Sequence, residues 1–139
     1  MRIRRALGWG QVLDLDRTIF DSSDDPIEIP ARPLIWLAWL GRAPIGYLVA
    51  NDATSELVRF GVLPDAAGRG AGAGLLRALT NHARAEFWPH VRTYARANNT
   101  PSLRALMRAG YLPAGWEAPT DGWPAGWIDL VLDTSRRTR

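Results

Sequence analysis

At 139 residues the chain is long enough for one continuous core and too short for two, so residues 1–139 are expected to form a single domain. It has no cysteine, which excludes a disulfide framework, a thiolate metal site and thiol chemistry, and His82 and His90 alone make a poor metal set, so no metal site is expected. All seventeen basic residues are arginine and the net charge is +3; apart from the tail at Arg136, Arg137 and Arg139 they are scattered, which argues against a nucleic-acid partner.

No apolar run reaches the roughly 20 residues that span a bilayer, and none of signal-peptide length follows Arg2, Arg4 and Arg5. The expectation is a soluble cytoplasmic protein, monomer or homodimer, with no membrane partner. Light alternation marks Arg2 to Ala6 as a first strand. Trp9, Val12, Leu13, Ile19 and Phe20 recur at helical spacing and predict a helix over about 9–20. Asp21 to Pro30, rich in Asp, Ser and Pro, reads as a loop. Its carboxylates, Asp21, Asp24, Asp25 and Glu28, suit either a solvated linker or a rim that attracts a cationic substrate.

Leu34 to Leu40 and Ile45 to Ala50 are short apolar runs joined by about four residues, a hairpin whose near-continuous hydrophobicity implies that both faces are covered. Asn51 to Ser55 turns the chain into a third run, Glu56 to Leu63, so that the three strands form an antiparallel meander. Next comes FGVLPDAAGRGAGAGLL, Phe60 to Leu76. A strand that feeds a glycine-rich turn and then a helix aims several backbone N–H groups and the positive helix end at one spot, while glycine lets a ligand approach without a Cβ in the way. This is a phosphate cradle by construction; the plainer reading is a strand-turn-helix with flexible glycines.

From Gly70 to Trp88, Leu75, Leu79, Ala83 and Phe87 repeat every fourth residue beside Leu76, an amphipathic helix. Val91 to Ala95 is a fifth strand. Thr100 and Pro101 read as an N-cap followed by a first-turn proline, Leu103, Leu106 and Met107 as a core stripe, and Gly110 as a C-terminal cap. Tyr111 onward and Trp127 to Leu132 supply a last pair of strands.

This order, with VLPDAAGRGAG, NNTPSLRALMRAGY and WIDLVL, resembles the GNAT superfamily of acyl-CoA-dependent N-acetyltransferases over nearly the whole chain. The resemblance implies an α/β (α+β) fold: a mixed, mostly antiparallel twisted sheet of six or seven strands, flanked by helices and splayed at a bulged fourth strand. The family's cofactor motif falls on Ala67, Gly68, Arg69, Gly70, Ala71 and Gly72. Asn99, with Ser102 three positions on and Gly110-Tyr111 closing the helix, matches a second motif. By that resemblance the loop amides bind the pyrophosphate of acetyl-CoA. The edge formed by Phe60, Gly61 and Val62 pairs with the pantetheine arm, with the Phe60 amide facing the developing oxyanion, and Asn99 helps to hold the arm. Gly61 suits the bulge.

Three positions depart from the family pattern. Ala67 replaces the usual Arg or Gln, and Arg69 is placed to supply the charge. Leu106 stands where many members carry a tyrosine that protonates the departing thiolate. Tyr94 occupies the place of a catalytic glutamate in the ribosomal-protein-modifying branch, as an acid or as pocket wall. Glu56, eleven positions before Ala67, has the spacing of the general base in the histone acetyltransferase branch; an exposed carboxylate at a strand start is the alternative. The acceptor amine is expected to be cationic, held by Asp24 and Asp25 and by the faces of Trp116 and Trp123. Two competitors stand beside this enzyme. One is a catalytically idle GNAT-fold module that binds acyl-CoA, a protein or nucleic acid. The other is a dinucleotide site on Gly68 to Ala73, opposed by the motif's late position and by the missing acidic ribose ligand.

Overall fold

The computed structural model describes residues 1–20, 27–120 and 125–135. These contain seven strands and three α-helices in the expected order, with a 3-10 turn at Pro64–Ala66 added. They form two compact units, Met1–Leu79 and Thr80–Arg139.

The first unit is an antiparallel run of β1 (Arg2–Ala6), β2 (Pro33–Leu40), β3 (Ala43–Asn51) and β4 (Glu56–Val62), paired in that order. The hairpin between β2 and β3 is tighter than expected: β3 begins at Ala43, so only Gly41 and Arg42 turn the chain, and Gly41 supplies the positive φ of 62° that a two-residue turn needs. Leu34 to Ala38 and Ile45 to Ala50 are buried throughout, as strands covered on both faces must be.

One face of this sheet packs on α1 (Gly10–Phe20), whose Val12 and Leu15 join Ile35, Leu37, Tyr47 and Val49 in the core. The other face takes the first half of α2 (Ala71–Ala85). Ile3, Ala38, Gly46 and Val62 lie opposite one another across the four strands. Small residues in that row matter, because a Cβ on Gly46 would lie 2.9 Å from the Gly61 carbonyl oxygen and 3.4 Å from Leu75 Cδ1. On the helix side, a Cβ on Gly74 would press against Ile3 at 3.2 Å. These close approaches hold the start of α2 against β1 and β3.

The second unit pairs β5 (His90–Arg96), β7 (Trp127–Asp133) and β6 (Leu112–Glu117) antiparallel in that spatial order. The stripe expected on α2 ends at Ala83, because the helix stops before Phe87. Phe87 has a φ of 59° and is 87% exposed, while Trp88 turns inward, its N–H bonded to the Ala83 carbonyl and its ring edge-on to His82. In α3 (Thr100–Arg108), Leu106 is buried but Met107 is exposed, so the core stripe is narrower than the spacing implies. Gly110, at φ 102°, closes α3 as expected: its N–H reaches the Met107 carbonyl and that of Tyr111 reaches Leu106.

Candidate functional site

The extra residue in β4 is Val58. Val49 pairs with Arg59 and Ala50 with Leu57, so the register slips between Leu57 and Arg59, while Gly61 stays in register opposite Tyr47. The bulge expected at Gly61 therefore lies three residues upstream. Gly61 is needed for a different reason: a Cβ there would stand 2.9 Å from Phe20 Cε2 and 3.2 Å from Ile19 Cγ2, so its missing side chain lets the end of α1 rest on the strand. The bulge also changes which side chains share a face. Glu56 lies opposite Asn51, two residues beyond Val49, and so belongs with Arg59 and Gly61 on the α1 face. The ring of Phe60 is on the other face, 4.0 Å from the Cβ position of Gly72. Glu56 is half-buried.

Beyond Val62 the chain makes its 3-10 turn, with the Ala66 N–H on the Leu63 carbonyl and that of Ala67 on Pro64. Ala67 is extended, and Gly68 and Gly70 then take φ values of 82° and 80°. Those two glycines carry the turn; Gly72 and Gly74 are ordinary helical residues. A Cβ at Gly68 or Gly70 would meet nothing within 4 Å, and Ala67, Gly68, Arg69 and Gly70 are all exposed. The carbonyl of Gly70 accepts the first helical bond, from Gly74 N–H. The N–H groups of Ala71, Gly72 and Ala73 precede that bond and have no i−4 partner within the helix, and no acidic residue sits in the first turn. Open space at Gly68 and Gly70, helix-start amides without i−4 partners and a helix dipole together make a fit for an anion of pyrophosphate type.

On the α1 face is a group that the sequence reading missed. Asp16 is 1% exposed. It accepts a short hydrogen bond from the Tyr47 hydroxyl, and Arg59 Nη1 reaches its two oxygens at 3.2 and 3.3 Å. Burial first, then the hydrogen bond and the charge of Asp16, push the Tyr47 phenol well above its ordinary value, against a smaller downward pull from Arg59. Tyr47 is thus the donor to the carboxylate. The Arg59 guanidinium lies 5.6 Å over the ring of Phe20. A signal was available: Asp16 stands four residues after Val12, inside the apolar stripe of an amphipathic helix.

In the second unit, Asn99 has a structural duty. Its side-chain oxygen accepts from Ser102 N–H at 3.3 Å, so Asn99, not Thr100, is the N-cap of α3, and Pro101 falls within the first turn. Tyr94 is half exposed on β5, across from Asp129, with its ring 6.4 Å from that of Trp127. Trp116 is 60% exposed on β6. Asp24, Asp25 and Trp123 lie outside the described residues, as do Asp21 and Asp121. Among the described residues no cluster of three potential metal ligands occurs.

The sequence profile of the acetyltransferase (GNAT) family matches residues 9–111. The ribosomal-protein-S18-alanine N-acetyltransferase of Escherichia coli superposes with a TM-score of 0.79 at 16% identity, over 99% of this chain and 97% of that one. A Bacillus subtilis acetyltransferase in complex with CoA gives 0.78 at 18% identity, over 95% and 97%. A GNAT family acetyltransferase from Elizabethkingia anophelis with acetyl-CoA bound gives 0.73 at 16%, over 95% and 97%. No curated protein matches the sequence. Identities this low speak for the fold alone, which is the GNAT fold, but the profile runs through both units from α1 to Tyr111, and on that ground the chain belongs to the acetyltransferase (GNAT) family.

Proposed function

We propose that the protein, acting as one domain, transfers an acetyl group from acetyl-CoA to a primary amine by direct attack, the acceptor being a cationic small molecule or a peptide amine. The observation that carries this reading is the cradle at Ala67 to Gly72: two glycines in positive φ and a helix start with no acidic residue in its first turn. Two of the structural neighbours have CoA or acetyl-CoA bound, which supports the same cosubstrate here. Ala67, Gly68, Arg69, Gly70, Ala71 and Gly72 would hold the pyrophosphate, the edge of Phe60, Gly61 and Val62 the pantetheine arm, with Asn99 assisting through its side-chain nitrogen, since its oxygen caps α3.

Bound acetyl-CoA supplies an activated thioester carbonyl. The Phe60 N–H donates to its oxygen as charge builds there. Glu56 takes a proton from the ammonium group, directly at about 2.6–3.2 Å or through one water, freeing the lone pair for attack. Leu106 is 1% exposed and has no acidic proton, so the chain offers no acid to the leaving thiolate at that position. Tyr94, half exposed, is the second candidate acid. Asp24, Asp25, Trp116 and Trp123 are assigned to the acceptor. No described helix is long and apolar enough to cross a membrane, and we place the reaction in the cytoplasm.

Thiol release with acetyl-CoA and a panel of amines tests the reading. Turnover by the parent and its loss by about 10²-fold in Glu56→Gln at pH 7, with coenzyme A affinity intact and the defect shrinking as pH rises, is the expected result. Coenzyme A binding without turnover of any amine would make the domain an acyl-CoA-binding module instead.

A further inference from the structure

The α1 face of β4 carries Glu56, Arg59 and Gly61, and two of the side chains on that face that reach solvent are Phe20, 38% exposed, and Arg59, whose side chain is 20% exposed. The Phe20 ring edge occupies the space a Gly61 side chain would take, with Cε2 2.9 Å from that Cβ position, and the Arg59 guanidinium lies over the Phe20 ring. An amine that approaches Glu56 from this face passes along a wall made of an aromatic ring and a guanidinium. A bare guanidinium there would repel an ammonium group. It is not bare: Asp16, buried on the far side, sets one negative charge against it.

We infer that Arg59 and Phe20 form the acceptor-side wall of the site, and that Asp16 is the positioning residue that holds this wall in place and makes it electrically neutral, so that a cationic amine is admitted. The inference rests on the acetyltransferase reading and adds to it the residues that discriminate by charge. Asp16 does not touch the acceptor; it acts through Arg59. Its loss therefore penalises acceptors in proportion to their positive charge, which a merely structural residue would not do.

The test is steady-state kinetics on the full chain with two pairs of amines that differ in charge, spermidine against ethanolamine and the tetrapeptide AKKA against AQQA. In Asp16→Asn, KM for the more charged member of the pair that the parent uses should rise about tenfold more than for its partner. That difference should shrink in 0.5 M salt, where the Debye length is about 4 Å and exposed interactions at 10 Å or more are largely screened, while KM for acetyl-CoA stays within about twofold. An equal change for both members overturns the inference. Phe20→Leu keeps all charges and serves if Asp16→Asn fails to fold: KM should rise about fivefold for both members of the pair, since the ring face is lost, with the melting temperature and acetyl-CoA KM unmoved. Unchanged amine KM in that variant overturns the inference alone. A parent that turns over none of the four amines removes the proposed reaction, and the inference with it.

Discussion

The glycine cradle and the Asp16 group lie in the same unit, the first just beyond the end of β4 and the second against the middle of that strand through Arg59, and they are built in opposite ways. In the cradle the backbone carries the arrangement: residues 67–70 are exposed, Gly68 and Gly70 take positive φ with open space where a Cβ would stand, and the first amides of α2 follow. Around Asp16 the side chains do the work. A carboxylate, a phenol and a guanidinium from three elements converge, at separations of 31 and 43 residues, in a place almost without solvent. A backbone site tolerates change in whatever does not alter φ or block the amides. A side-chain site of buried charges tolerates almost none.

The largest expected effect follows from that difference. Asp16→Ala removes the carboxylate that Tyr47 and Arg59 both address, and should lower unfolding free energy by about 3 kcal/mol, the low end for a broken buried pair because a fifth of Arg59 stays wet. Two residues earlier on α1, Asp14 makes an exposed pair with Arg17 at 3.3 Å. Asp14→Ala should shift stability by less than about 0.5 kcal/mol. Urea titration of the two variants reads the contrast, and equal losses would break it. At the cradle the expectation reverses, with function lost and fold kept. Gly70→Asp sets a carboxylate among the amides proposed to hold pyrophosphate, weakening coenzyme A binding by about 2–4 kcal/mol by calorimetry, whereas its Cβ meets no atom within 4 Å and the fold loses only the roughly 1–2 kcal/mol of a left-handed residue at φ 80°. Parental affinity in a folded Gly70→Asp protein would place the cradle elsewhere.

The same contrast explains what was legible in the sequence. The glycine turn, the meander and the Gly110 cap are local: each is written in consecutive residues, and each appears where the residues put it. What escaped depends on register. Gly61 looks like the natural bulge, but the slip falls at Val58, and one residue's displacement moves Glu56 to the face away from the Phe60 ring. Asn99 carried a family role and hid a nearer one, the cap on Ser102. For Asp16 the local pattern shows only its place in the stripe of α1; Tyr47 and Arg59 are brought to it by strands whose pairing no local pattern states.

A smaller effect sharpens the comparison by taking the charge away. Tyr111 is fully buried, its hydroxyl finds no hydrogen-bond partner among the described residues, and burial alone pushes its phenol well above 10.0. Tyr47 is raised too, with Asp16 as acceptor. For a raised pKa, the stabilising effect is complete below the unfolded value of 10.0 and is lost as pH climbs beyond it. Stability should therefore fall above pH 10.0 by roughly 1.4 kcal/mol per pH unit for each of these tyrosines. Tyr111→Phe should remove its share of that slope and add about 1 kcal/mol at neutral pH by relieving an unpaired buried hydroxyl. Loss of stability at neutral pH would mean that the hydroxyl has a partner.

The smallest effect concerns two helix ends that share one geometry and differ in one residue. Both α2 and α3 close with paired bonds: Trp88 N–H to Ala83 and Phe87 N–H to Arg84 in the first, Tyr111 N–H to Leu106 and Gly110 N–H to Met107 in the second. Each needs a left-handed residue, which is Phe87 at φ 59° in one and Gly110 at φ 102° in the other. Left-handed backbone costs a residue with a Cβ about 1–2 kcal/mol, and glycine returns part of that as greater freedom in the unfolded chain. Phe87 is 87% exposed, so little burial is forfeited with its ring. Phe87→Gly should then stabilise the protein by roughly 0.5–1 kcal/mol. Gly110→Ala should do the reverse and more strongly, because its Cβ would also stand 3.2 Å from Leu132 Cδ1. Should Phe87→Gly destabilise in urea, the ring must make contacts in solution that offset the strain, and the two caps would no longer be one motif in two sequences.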